Sequence, residues 1–325
     1  MDRDRRDEMV RDRSEESKQR GYERLSARMA LNLAAPHTWP ASVMPALIGI
    51  CLAVKASPIS VTMALAVLAI SVLMQSSVNT FNDYFDYVKG TDDESADVDV
   101  DDSVLVYNNV NPRSALFLAI GFLSVAFLLG VYIIMNAGFA PLVIALIGAV
   151  FVVLYSAGRT PVSYLPIGEL VSGFVMGCLI PLGAVVSLTG TLDLTVLALS
   201  IPTFIGVALI MLTNNTCDIE RDIDAGRRTF PVVVGRQNAV ATYRLAVIVW
   251  IVAIIACTAL CFQPGLIVVP FMVLAAIPLV KAVFGNTFEP NRRTQCMPQK
   301  LSLNIVFGAF YAAAILASTV PVLVF

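Results

Sequence analysis

The chain has 325 residues, 57% of them hydrophobic and only 14% charged, with a mean hydropathy of +0.77 and a formal net charge of -2. Soluble domains carry about a quarter charged residues, so this composition excludes an ordinary soluble protein and leaves little chain for a folded domain outside a bilayer. Six scattered cysteines show no paired metal-ligand spacing and support neither a zinc site nor a disulfide framework, and nothing in the charge pattern points to nucleic acid.

The N-terminal 28 residues hold nine Lys or Arg and eight Asp or Glu with hardly an apolar residue between them. This reads as a charged tail over residues 1–30, disordered or frayed, rather than a signal peptide, which would need an apolar run and a small-residue cleavage site. Residues 31–325 read as one all-α membrane domain. A bilayer span takes roughly 17 to 25 apolar residues. Nine candidates follow in order, near 40–55, 59–81, 114–135, 139–156, 166–188, 194–216, 239–262, 264–284 and 302–324. His37 and Trp39, just before the first, suit an interfacial position. With the tail inside and the C-terminus outside, 21 of the 22 Lys and Arg fall on the cytoplasmic side, Lys55 being the exception. This orientation predicts an inner, plasma-membrane protein.

Two acidic stretches then fall on the same side. Residues 82–102, NDYFDYVKGTDDESADVDVDD, follow the second span and hold nine Asp or Glu; residues 214–229, NNTCDIERDIDAGRRT, follow the sixth. Asp83 and Asp86 are three apart and Asp218 and Asp222 four apart, so each pair projects from one face of a helix end. Carboxylates this close to hydrocarbon need a partner, and Mg2+ suits them because it binds through one or two carboxylates while keeping positions for water and phosphate. Asn82, Asn214 and Asn215 add amides, and Lys89, Arg227 and Arg228 add donors suited to diphosphate oxygens. The run from Asp93 to Asp102 reads as a solvated linker. Acids deep in the membrane would instead indicate a cation-coupled transporter, but these cluster at helix ends.

The pattern N82-D83-x-x-D86 followed by K89-G90-x-D92, with the later N214-N215-T216-x-D218-x-E220-x-D222, resembles the two Asp-rich motifs of the UbiA superfamily of intramembrane prenyltransferases. HTWPASVMPALIG at the first span and YLPIGEL at 164–170 are similar to further family segments, and the nearest likeness is to the branch that prenylates 1,4-dihydroxy-2-naphthoate. The resemblance implies nine helices around a membrane cavity. It implies Mg2+ held by Asp83, Asp86, Asp92, Asp218 and Asp222 against a polyprenyl diphosphate, with Asn82, Asn214 and Asn215 assisting. Lys89, Arg159, Arg227 and Arg228 would bind the diphosphate. Tyr155, Tyr164 and Glu169, beside the inner ends of the fourth and fifth expected spans, are candidates for contact with the aromatic acceptor. It also implies transfer of the prenyl group with loss of carbon dioxide, giving demethylmenaquinone. Other acceptors served by such a fold are 4-hydroxybenzoate, homogentisate, haem and glycerol phosphate lipids. Three sites depart from the pattern: Ala35 before Pro36 and Cys217 after Thr216 stand where arginines are expected, each removing a positive charge, and the segment VLVYNNVNP after Asp102 is only loosely similar to the family's stretch there. Donor length and oligomeric state are not legible in the sequence.

Overall fold

The computed structural model describes residues 22–89, 104–156 and 160–319, with Asp86, Lys89 and Ser156 described by backbone only. Asp92, Arg159 and the run 93–102 lie outside these residues, as do 1–21 of the tail and the last five residues of the ninth expected span. The described chain is helical, its only β pairing an isolated bridge between Glu23 and Val110. In chain order the helices are α1 (Ala27–Ala34), α2 (Pro40–Ala56), α3 (Val61–Lys89), α4 (Val104–Tyr107), α5 (Pro112–Ala137) and α6 (Ala140–Ser156). Then come α7 (Gly168–Thr189), α8 (Thr195–Leu199), α9 (Ile201–Cys217), α10 (Ile219–Asp224), α11 (Phe230–Val234), α12 (Arg236–Cys261), α13 (Val269–Phe284) and α14 (Arg293–Ala317). Six described helices are long and apolar enough to cross a bilayer, and up to seven with the α1–α2 pair; Ala140–Tyr155 and Ile201–Cys217 are shorter.

The chain divides into two compact units, residues 1–39 with 69–129 and residues 40–68 with 130–325. In the first, α1 closes on Ala35, whose φ of 47° places it in the left-handed region and leaves the last carbonyls of α1 without helical partners. Side chains from α3 supply them: Thr80 Oγ1 donates to the Leu33 carbonyl at 3.1 Å and Asn79 Nδ2 to that of Ala34 at 3.1 Å. Trp39 Nε1 also donates to Ala34 at 3.1 Å. Leu33, Val104, Leu105, Val110 and Ala115 form the core, with Leu25 and Met29 packed on it. The charged sequence around residues 22–30 is thus built into this unit, and the Glu23 amide donates to the Asn109 carbonyl at 2.7 Å. Asp83 is half-buried and Asn82 exposed on the last turns of α3, where the backbone of Asp86 follows three residues on.

In the second unit α2, α7, α9 and α14 pack against one another while α12 and α13 turn apolar faces such as Leu245, Val252, Phe271 and Leu274 outward, as a lipid-facing surface requires. Small residues set the spacing. A Cβ on Gly177 of α7 would lie 2.5 Å from Phe204 Cα, so α7 and α9 touch backbone to backbone; the π turn Val175–Leu179 sits at this contact, and Thr203 Oγ1 donates to the Gly177 carbonyl at 2.6 Å. Pro202 opens α9 because a proline without its N–H is tolerated in the first helical turn, which divides the expected 194–216 span into α8 and α9.

The last helix begins at Arg293, not near 302 as its apolar content predicts. Residues 293–300 carry Arg293, Gln295, Gln299 and Lys300, a polar run that reads as loop. Yet Lys300 is fully buried within α14, its Nζ 3.9 Å from the centre of the Trp250 ring, a cation–π distance. This early start brings Arg293 to the C-terminal end of α9.

Candidate active site

The α9–α10 junction places the second acidic pair. The Asp218 amide donates to the Asn214 carbonyl at 3.0 Å and the Asp222 amide to the Asp218 carbonyl at 2.8 Å, so the chain continues helically and the two carboxylates stand one turn apart. After Asp224 the chain turns through Gly226 at a φ of 70°, a conformation that costs other residues energy, and returns over Asp222. The Arg227 amide donates to the Asp222 carbonyl at 2.8 Å, and Thr229 Oγ1 donates to Asp222 Oδ2 at 2.9 Å.

Each carboxylate faces an arginine. Arg293 Nε lies 3.2 Å from Asp218 Oδ1, and the same guanidinium donates to Asn214 Oδ1 at 2.9 Å. Arg227 Nη1 lies 3.5 Å from Asp222 Oδ1 while its guanidinium rests over the Tyr164 ring, 5.0 Å from the centroid. Burial raises both carboxyl pKa values above the usual range. For Asp218 the charge of Arg293 opposes the rise, and for Asp222 the Thr229 hydroxyl and Arg227 do so while Asp218 adds to it. Glu220 lies outside this pair: Arg236 grips it with two bonds of 2.9 and 2.7 Å, which lowers its pKa, and also reaches the Thr216 carbonyl. That clamp fixes the end of α9 to the start of α12.

The two asparagines of the motif diverge. Asn214 turns to Arg293 of α14, and Asn215 Nδ2 donates to Glu169 Oε1 of α7 at 2.8 Å. Glu169 is 6% exposed and its Oε2 has no hydrogen-bond partner. Tyr155 OH lies beside Gly168. Arg228 is exposed, its amide donating to the Tyr164 carbonyl at 2.9 Å. Thus Asn214, Asn215, Asp218, Asp222, Arg227, Glu169 and Tyr164 form one connected set. Arg293, Thr229 and Arg236 join it without having been expected. No three acid, histidine or cysteine side chains converge on one point among the described residues. Two carboxylates a turn apart with an amide oxygen beside them still fit Mg2+, which takes few protein ligands and completes its shell with water and phosphate.

Comparison with known proteins identifies the family of the chain. Residues 42–306 match the model of the UbiA prenyltransferase family. The chain belongs to the UbiA prenyltransferase family. It is 32% identical over 291 residues to the 1,4-dihydroxy-2-naphthoate octaprenyltransferase of Bacillus subtilis, covering 88% of this chain and 91% of that one. It is 28% identical over 297 residues to UbiA prenyltransferase domain-containing protein 1 of Xenopus tropicalis, covering 86% and 79%. In fold it resembles a UbiA homolog from Archaeoglobus fulgidus solved with DMAPP and Mg2+, at a TM-score of 0.61 with 17% identity over 88% of this chain and 98% of that one. The protein is therefore an integral membrane prenyltransferase. Where the UbiA pattern leads one to expect an arginine at 217, a fully buried cysteine interacts with Cys296, and the guanidinium beside Asn214 and Asp218 comes instead from Arg293.

Proposed function

We propose that this UbiA enzyme transfers a polyprenyl group from a polyprenyl diphosphate to 1,4-dihydroxy-2-naphthoate, with loss of diphosphate and carbon dioxide, giving demethylmenaquinol, the reduced form of demethylmenaquinone. The observation that carries the donor half is the pair of mostly buried carboxylates one turn apart, each faced by an arginine, on a helix end of an apolar bundle. The acceptor half is supported by the likeness, over nearly the whole of both chains, to a 1,4-dihydroxy-2-naphthoate octaprenyltransferase.

In this reading Asp218 and Asp222 hold Mg2+, with the Asn214 amide oxygen beside them. Bound there, Mg2+ supplies positive charge against the diphosphate as its bond to the allylic carbon breaks. Arg227, Arg293 and Arg228 bind the diphosphate oxygens and stabilise the charge that collects on them. The apolar helices of the bundle receive the isoprenoid tail and keep water from the allylic cation, which it would convert to an alcohol. Glu169, held by Asn215, and Tyr155 and Tyr164 orient the aromatic ring, whose electron-rich carbon attacks the cation and then releases carbon dioxide. The resemblance gives Asp83, Asp86 and Asp92 a metal-binding role, with Asn82 assisting and Lys89 and Arg159 binding diphosphate. We propose the same roles here. We also propose a plasma-membrane location with the N-terminus and acidic stretches cytoplasmic.

The test is incubation of purified protein with a labelled polyprenyl diphosphate, Mg2+ and a mixed pool of aromatic acids, followed by lipid extraction and mass spectrometry. A prenylated naphthoquinol lacking the carboxyl group is expected. A product built on 4-hydroxybenzoate or homogentisate would overturn the acceptor assignment.

A further inference from the structure

The arginine pairs at Asp218 and Asp222 are loose, and each arginine has a second anchor. Arg293 Nε approaches Asp218 at 3.2 Å without hydrogen-bond alignment and is left, buried, with no acceptor. Arg227 stands 3.5 Å from Asp222. The arginine side chains are 38% and 44% exposed while their carboxylate partners are 15% and 6% exposed, so the anions are fixed in the protein and the cations sit at the open side. The second anchors do not involve a carboxylate: Asn214 holds Arg293 and the Tyr164 ring holds Arg227. A guanidinium released from its Asp would stay at the site with its donors free.

We propose that Arg227 and Arg293 are exchange partners. In the metal-free protein they neutralise Asp222 and Asp218; when a Mg2+–diphosphate binds, the carboxylates pass to the cation and the two arginines pass to the diphosphate oxygens. This rests on the metal–diphosphate reading of the site. Its consequence is coupling between the two ligands. The two carboxylates and two guanidinium groups sum to zero formal charge. Mg2+ alone must displace cations that gain no new partner, and a diphosphate alone meets arginines already engaged beside two anions. Arriving together, each ligand supplies what the other leaves unpaired, and the coupling acts equally in both directions.

The exchange makes a prediction of opposite signs. In Arg293→Gln, Mg2+ alone meets less competition and binds about two- to fivefold more tightly, the size of a partly exposed ion pair. Pyrophosphate in the presence of Mg2+ binds more weakly, because one donor is gone. Arg227→Gln behaves the same way. The experiment is titration calorimetry and thermal shift on the full chain in detergent, with MgCl2 alone, pyrophosphate alone and both. Arg292→Gln is the control, since the Arg292 guanidinium is exposed and donates to Gln295 Oε1 at 3.3 Å rather than to the site. Opposite changes in the two variants and none in the control support the exchange. Metal and pyrophosphate affinities that fall together, or metal affinity that does not rise in either variant, overturn it. A native protein that binds neither ligand overturns the metal–diphosphate reading itself, and the exchange with it.

Discussion

The Thr229 hydroxyl offers a sharp probe of Asp222, because it is a neutral donor that faces this buried carboxylate at hydrogen-bond distance, 2.9 Å from Oδ2. Thr229 is itself 2% exposed, so water does not readily replace the donor in Thr229→Val. A hydrogen bond to a charged acceptor is worth about 1.5–3 kcal/mol, and losing it favours the protonated form of an acid whose pKa burial already raises. Protons then compete with Mg2+ over a wider range. At the acid end of the profile the Mg2+ concentration for half-maximal activity rises by up to about ten- to a hundredfold, the same free energy expressed as a ratio. At alkaline pH, where Asp222 is ionised in both proteins, the difference shrinks. The assay is prenyl transfer measured against Mg2+ concentration at a series of pH values. A rise of equal size at every pH would place the effect of Thr229 in packing and refute the reasoning.

Other outcomes follow from the same geometry. Because Asp218 and Asp222 have raised pKa values in the metal-free fold, the stability they contribute is complete below the ordinary carboxylate range and is lost as pH rises through the raised values; the Tm of metal-free protein falls over that interval, and saturating Mg2+ reduces the fall. Gly177→Ala inserts a methyl group against the Phe204 backbone and destabilises the α7–α9 contact by about 1–3 kcal/mol, read as a lower Tm. Cys217→Arg buries an unpaired guanidinium at a fully buried position next to Cys296, so it lowers Tm and yields no gain in turnover. Glu169→Gln raises KM for the naphthoate more than KM for the prenyl diphosphate, as steady-state kinetics with each substrate varied will show.

Much of the membrane architecture was legible because hydropathy reports length and apolarity directly: six of the expected spans coincide with described helices long and apolar enough to cross a bilayer. The second acidic motif was legible too, since its spacing of four already places Asp218 and Asp222 on one helical face. Other features depend on neighbours remote in sequence. The start of α14 was hidden by its polar first turns, although Arg293, Lys300 and Asn304 fall at helical spacing on one face and continue the helical period backwards. Lys300 reads as a loop cation until Trp250 is placed 3.9 Å from it. Asn214 and Asn215 look equivalent in sequence, and only the packing of α14 and α7 against α9 sends Asn214 to Arg293 and Asn215 to Glu169. Cys217 reads as a lost positive charge, whereas the site draws its guanidinium from a residue 76 positions later, a substitution of source that no local pattern reveals.

The central claim is that Asp218 and Asp222 hold the metal against a prenyl diphosphate. The most direct measurement is Mg2+-dependent transfer of a labelled prenyl group to 1,4-dihydroxy-2-naphthoate by the purified native chain and by Asp218→Asn and Asp222→Asn, each shown to be folded by its Tm. The account predicts a decarboxylated prenyl naphthoquinol from the native protein only, absent when Mg2+ is chelated. Transfer that persists in both variants, or that proceeds without a divalent cation, would contradict it.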